Sequence, residues 1–288
     1  KSHLGAERIG DVMEVYGPLI EMALGPQVGT FVTGTGEHGL LSDLCGLVVS
    51  WGLSFCLAVL FYHGASVLIS AYTQRYHPNA PCNKVSPKLQ EYMVKVSHRA
   101  FPLYVTVVSF GEVFRKLGWS RHCESIEDCG GWAGTALNCI AYFLCVELLI
   151  FLDHYYLLHK FEWGKRVMKH SEHHVYKKAD ELNAWSAYAF APQDGWSQGL
   201  PLALVTCVVR VPLPFVFFME AATAVWTLYI HTDVRPLPWP FMGCNYHYLH
   251  HKYNWYNFGF MTCLFDTLFG TIKHPAPSDY SHMPAKSQ

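Results

Sequence analysis

The sequence predicts an all-α protein, an integral membrane helical bundle of about three to five membrane segments with a histidine-rich cap on one membrane face. Composition, two long uncharged runs and the placing of the histidines predict it. Hydrophobic residues make up 51% of the 288 and charged residues 15%, against about 25% charged in an ordinary soluble domain. The chain is short of the groups that keep a surface wet, and lipid is the other solvent available. A formal net charge of −1 with no basic stripe argues against nucleic acid as a partner.

The elements follow in order. Residues 1–38 mix Gly, Pro and a few charges and are expected to form a peripheral N-terminal arm. Residues 44–74 contain no Asp, Glu, Lys or Arg, and about 20 apolar helical residues cross a bilayer core. This stretch spans easily, with Trp51 and Tyr72 near the interfaces. A polar stretch follows over residues 75–99. Residues 100–111 are uncharged but short, so they suit a re-entrant or interfacial segment, or part of a longer helix that includes Glu112. Residues 115–128 read as a charged loop, and together residues 39–128 hold the N-terminal membrane segments and polar loops. Residues 129–146 are uncharged and continue through Glu147 to Asp153, the second span, which delivers His154 and His159 to one membrane face. Residues 195–230 are apolar but carry Arg210, Glu220, Pro201, Pro212 and Pro214, which favours a helix–kink–helix hairpin over one straight span. Residues 129–275 form the histidine-bearing domain, and residues 276–288 a C-terminal tail. The ten cysteines include no C-x-x-C pair, and Cys123 and Cys129 are expected to be free thiols.

Of the seventeen histidines, eleven lie in the second half. Two boxes share the pattern H-x-x-H-H: His170, His173 and His174, then His247, His250 and His251. On a helix, positions i, i+3 and i+4 share a face, so each box is expected to aim three imidazoles at one point. Imidazole suits Fe, Zn, Cu and Ni. Six convergent imidazoles exceed the ligand set of a structural zinc, so two ions are the natural expectation. His231 closes an apolar segment in "LYIHTD" and joins the candidate ligands, although a helix-terminal histidine has other uses. His154 and His159 lie five residues apart, about 140° around a regular helix, and should not share a face there. Asp266 is a candidate to hold a ligating histidine by hydrogen bond. Asp194 reads as a turn former, and Glu147 as functional if it lies within the bilayer.

These residues resemble the fatty acid hydroxylase / sterol desaturase superfamily of membrane di-iron proteins. "YLLHK", "HSEHH", "IHTD", "HYLHH", "NFG" and "FDTLFGT" carry the resemblance, and "FAPQDGWSQGLP" is similar to a stretch of the sterol C5-desaturases. The resemblance implies two irons at the cytosolic face of the endoplasmic reticulum membrane, with zinc an alternative occupant. It implies electrons from NAD(P)H through cytochrome b5 or a similar carrier, and dioxygen-dependent attack on a C–H bond of a sterol or other lipid. The metal set it implies is His159, His170, His173, His174, His231, His247, His250 and His251.

The match departs from the family at the first box. Trp163 stands where the family has a second histidine, and Glu162 or a displaced His154 is left as a substitute ligand. Ala191 and Tyr188 also stand where the C5-desaturases carry histidine. A second reading therefore stays open: a catalytically altered homologue that serves as a structural subunit beside other membrane subunits. The chain opens on Lys1 rather than Met. This is read as a late start or a removed leader, and keeps the mitochondrial inner membrane as an alternative location.

Overall fold

The computed structural model describes residues 40–232, 236–276 and 279, so the expected N-terminal arm and nearly all of the C-terminal tail lie outside the described residues. The chain is helical. Three helices are long and apolar enough to cross a membrane: 46–76, 131–160 and Leu213–Ile230. They lie within α1 (Leu40–Tyr76), α4 (Gly131–Leu152, continued by a π-helical turn over Asp153–Lys160) and α7 (Leu213–Ile230). The first two match the uncharged runs. The protein is an integral membrane protein.

Between α1 and α4 the chain forms α2 (Pro87–Tyr104) and α3 (Thr106–Lys116). The polar stretch before residue 100 is thus mostly helix. Ser86 caps α2 by accepting the Leu89 N–H, and Met93, Val96, Ser97, Ala100 and Phe101 make one buried stripe. The charges that made this segment look like a loop occupy the other face. The charged loop after α3 is closed by a disulfide between Cys123 and Cys129, which corrects the expectation of two free thiols. Asp128 N–H donates to the Ser125 hydroxyl and Cys129 N–H to the Ser125 carbonyl, and this turn brings the two Cα atoms to 5.4 Å.

The third apolar region is a broken helix, but the break falls elsewhere than at Pro201. α6 (Pro192–Val205) carries Pro201 inside it. The chain then turns through residues 206–212, where Val211 and Pro212 (β2) pair in parallel with His122 and Cys123 (β1), before α7 starts with Pro214 in its first turn. Proline is tolerated at that first turn, where its missing N–H is not needed. Shorter helices complete the chain: α5 (Glu162–Met168), α8 (Cys244–Tyr253) and α9 (Leu264–Phe269).

Apolar side chains gain little by leaving lipid for protein, so helix packing in a membrane leans on close contact and hydrogen bonds. Two buried tyrosines and one carboxylate supply such ties here. Tyr62 on α1 donates to the Trp185 carbonyl (2.9 Å), and Tyr142 on α4 donates to the Leu202 carbonyl (2.7 Å). Glu147, the one carboxylate in the apolar part of α4, accepts the Met261 N–H (2.9 Å), the Thr262 N–H (2.8 Å) and the Thr262 hydroxyl (2.7 Å). Its role is that of a clamp, which fastens the loop after α8 to the second span. Replacing Glu147 by Leu leaves three buried donors unmet, a cost on the order of 3 kcal/mol. Glu147→Leu is expected to lower the thermal unfolding midpoint of the purified protein in detergent, and Glu147→Gln to lower it less; equal midpoints for Glu147→Leu and the parent would remove the clamp.

Candidate metal centre

Nine histidines gather in two adjoining sets among the described residues. His154, His159, His170, His174 and His250 form one, and His173, His231, His247 and His251 the other; within each set the ligand atoms lie within 4.8 Å of one another. Four pieces of chain deliver them. His154 and His159 come from the π-helical end of α4, and His170, His173 and His174 from a 3-10 helix, His170–Val175. His231 caps the C-terminus of α7, while His247, His250 and His251 sit on α8.

Two sequence expectations are corrected by this geometry. Each H-x-x-H-H box serves both sets rather than one point. At 3.6 residues per turn, i+3 and i+4 fall about 100° apart on either side of i, so on α8 the i, i+4 pair His247 and His251 turns one way and His250 the other. The 3-10 segment splits in the same manner, His170 and His174 against His173. The second correction concerns α4. Hydrogen bonding of the i→i+5 kind over Asp153–Lys160 brings residues five apart onto one side, and the His154 and His159 rings stand 5.1 Å apart. The distortion supplies an imidazole that a regular helix would have turned away. Glu162 stays outside; its exposed carboxylate accepts from Lys165 (2.7 Å). Trp163 is exposed as well.

The outward nitrogens determine what the inward ones can do. A carbonyl can only accept, so a ring nitrogen facing one must donate. His154 Nδ1 faces the Phe258 carbonyl (2.9 Å), His231 Nδ1 the Thr227 carbonyl (2.7 Å), His250 Nδ1 the Tyr256 carbonyl (2.8 Å) and His251 Nδ1 the Tyr176 carbonyl (3.1 Å). His173 Nδ1 faces the Ala189 carbonyl at 3.4 Å, and His170 Nδ1 the buried Asp194 carboxylate at 2.8 Å. With the proton on Nδ1, each neutral ring presents a bare Nε2 to the interior. Yet Nε2 atoms meet at 3.1 Å between His154 and His170, and at 3.1 Å between His173 and His231. These contacts hold no proton to share, and two lone pairs repel at that distance. A cation between them turns the repulsion into coordination. The buried His159 Nε2 has no hydrogen-bond partner either. The donor set therefore fits metal ions of the imidazole-binding kind.

Electrostatics agree. Burial, and then neighbouring imidazoles, hold His170, His174 and His250 well below the usual histidine range, so these rings stay neutral and available as ligands. Burial pushes the Asp194 carboxyl up to about 7, opposed by His173 and Gln198.

Asp194 is the functional residue that the sequence reading missed. It was taken for a turn former, but it sits buried at the start of α6, bound to His170 and to the Gln198 amide (2.8 Å). Its spacing from the boxes carries no signal, because only the tertiary fold brings α6 under His170. Asp266 supports the site at one remove. Rather than bonding to a histidine, it accepts the Phe258 N–H (2.7 Å), the Gly259 N–H (2.8 Å) and the Thr271 hydroxyl (2.6 Å), which fixes the carbonyl that orients His154. Gly259 is required there, since a Cβ would lie 2.1 Å from the Thr262 carbonyl oxygen. A cavity of about 640 Å³, counting its open mouth, borders both sets of histidines and runs to Tyr104, Tyr188 and Thr223.

The fatty acid hydroxylase family model matches residues 139–271. The chain is similar to a Delta(7)-sterol-C5(6)-desaturase of Nicotiana tabacum, with 29% identity over 82% of this chain and 88% of the relative. It is similar to the lathosterol oxidase of Mus musculus, with 26% identity over 77% of this chain and 71% of the relative. A Delta(7)-sterol 5(6)-desaturase of Aspergillus fumigatus is 29% identical over 70% of this chain and 67% of the relative. No solved structure matches the chain.

Outer partners of metal-bound histidines are worth about 10–100-fold in metal affinity. Asp194→Asn is expected to speed metal loss to a chelator by a factor in that range, whereas Glu162→Gln leaves the rate unchanged. Equal retention by the parent and Asp194→Asn would show that the carboxylate does not support His170.

Proposed function

We propose that this chain is a membrane oxidoreductase of the sterol desaturase superfamily that holds two irons and oxidises a C–H bond of a sterol or related lipid with dioxygen; the family match over residues 139–271 and the similarity to sterol desaturases support this reading. The observation that carries this reading is the pair of imidazole sets with bare nitrogens turned inward. His154, His159, His170, His174 and His250 would hold one ion, and His173, His231, His247 and His251 the other. The irons, when bound, supply the redox chemistry that activates dioxygen, which no side chain of the protein can do.

The protein's own part is positional. Carbonyls of Phe258, Thr227, Tyr256 and Tyr176, with Asp194, fix the ring orientations and keep the Nδ1 protons in place. The buried rings and Phe190 and Phe258 keep bulk water from the site. The cavity that borders both sets is the place for the substrate carbon, and its apolar walls suit a lipid. Electrons would come from NAD(P)H through cytochrome b5 or a similar carrier, and the setting would be the endoplasmic reticulum membrane, as the resemblance of the motifs implies. The imidazole missing at Trp163 weighs less against activity once His154 stands beside His159.

Metal analysis of the purified chain together with a sterol oxidation assay tests the reading. Two irons per chain and dioxygen-dependent desaturation of a Delta(7)-sterol are expected, and His154→Ala should lose about half of the iron, as the ligand set of one ion is broken. One zinc or no metal, in a protein inseparable from a larger complex, would overturn it in favour of a structural subunit.

A further inference from the structure

A second cavity opens between the spans α1 and α7. It is larger than the one at the histidines, about 1140 Å³ counting its mouth, and Leu57 and Phe61 of α1 stand partly exposed on its wall. Its lining is mostly apolar, but Glu220 and Thr223 of α7 contribute to it. They lie at i and i+3, hence on one face of the helix. Thr223 is 8% exposed, and its hydroxyl oxygen has no hydrogen-bond partner. A buried, unmet hydroxyl is costly, and in an apolar cavity it marks a place where a ligand's polar atom belongs. Glu220 also borders a smaller cavity lined by Arg115 and His122, so the two cavities share it.

We propose that this lateral cavity is a loading site for a hydroxyl-bearing lipid, distinct from the position in which the lipid reacts. Glu220 and Thr223 hold the hydroxyl. A lipid hydroxyl donates once and accepts from another group, so it can donate to the Glu220 carboxylate and accept from the Thr223 hydroxyl. The fate of the lipid rests on the oxidoreductase reading above; its binding does not.

The separation from the metals follows from the helix. Glu220 and Thr223 precede His231 by eleven and eight residues, about 16 and 12 Å at 1.5 Å per residue. If the chain acts as its 5(6)-desaturase relatives do, on a 3-hydroxysterol, the reacting carbons lie a few bonds from the hydroxyl and within about 5 Å of it. A lipid held at Glu220 therefore cannot present such a carbon to the histidines. It must advance first, and Tyr104, Tyr188, Gly199 and Thr223, which line both cavities, are the neck that it would pass. The neck is close-fitting at Gly199, where a Cβ would meet the Tyr104 ring at 3.2 Å and Val107 at 3.3 Å.

The test uses the full chain in nanodiscs, with dehydroergosterol, a fluorescent 3-hydroxysterol, and its 3-O-methyl ether as probes. The parent is expected to bind the free hydroxyl about tenfold more tightly than the ether, the worth of one charged hydrogen bond. Glu220→Leu should abolish that preference, and Thr223→Val should weaken the hydroxysterol severalfold, so that either variant can decide if the other fails to fold. Gly199→Ala should keep probe binding while slowing sterol oxidation. Equal binding of the two probes by the parent would overturn the proposal, as would a Gly199→Ala loss of binding in step with activity. A hydroxyl preference that depends on Glu220, in a protein that oxidises no sterol, would uphold the loading site and overturn the oxidoreductase reading alone.

Discussion

The site depends on one constraint: the inward Nε2 atoms must be free of their protons, and for six of the nine histidines an acceptor outside the cluster secures that. His154, His231, His250 and His251 each give Nδ1–H to a backbone carbonyl. His170 gives its own to Asp194. Those acceptors belong to loops and helix ends that would otherwise have little reason to be rigid. Asp266 holds the Phe258 loop, Glu147 holds the residues that follow it, and Asn257 bonds back to Tyr246 and Lys273. Much of the hydrogen bonding outside the spans thus serves to aim a handful of carbonyls.

The membrane explains where the irregular backbone is allowed. Spanning segments must satisfy their own peptide groups, and departures survive only where protein or a cavity surrounds them. α4 obeys this rule along its apolar length and leaves it only over Asp153–Lys160, where the π-helical turn faces the histidines. The irregularity is local, and it is what brings His154 and His159 together. The break between α6 and α7 is placed in the same way. The peptide groups at the buried Val211 are met by the short pairing with Arg121 and the His122 strand.

Fold class and a face rich in candidate metal ligands were legible in the sequence because they rest on local features. Uncharged runs long enough to cross a bilayer mark α1 and α4, and two H-x-x-H-H boxes in polar surroundings mark a metal-binding face. α2 was not legible as a helix, since its lysines masked the stripe of Met93, Val96, Ser97, Ala100 and Phe101. The pairing of Cys123 with Cys129 depended on a turn at Ser125 that spacing does not reveal. Asp194 looked like a turn residue because its partner, His170, is a neighbour only in space.

By itself, the sequence determined that this protein lives in a membrane and gathers imidazoles at one face, because hydropathy and residue type act without regard to the fold. The tertiary structure decided how those imidazoles divide. It sent His173 to the set opposite His170 and His174, and His250 to the set opposite His247 and His251. It also recruited His154 through a π-helical turn and left Glu162 in solvent. The physical reason is that a ligand set is a meeting of directions. Directions come from how helices end and pack, and no spacing along one chain segment records them.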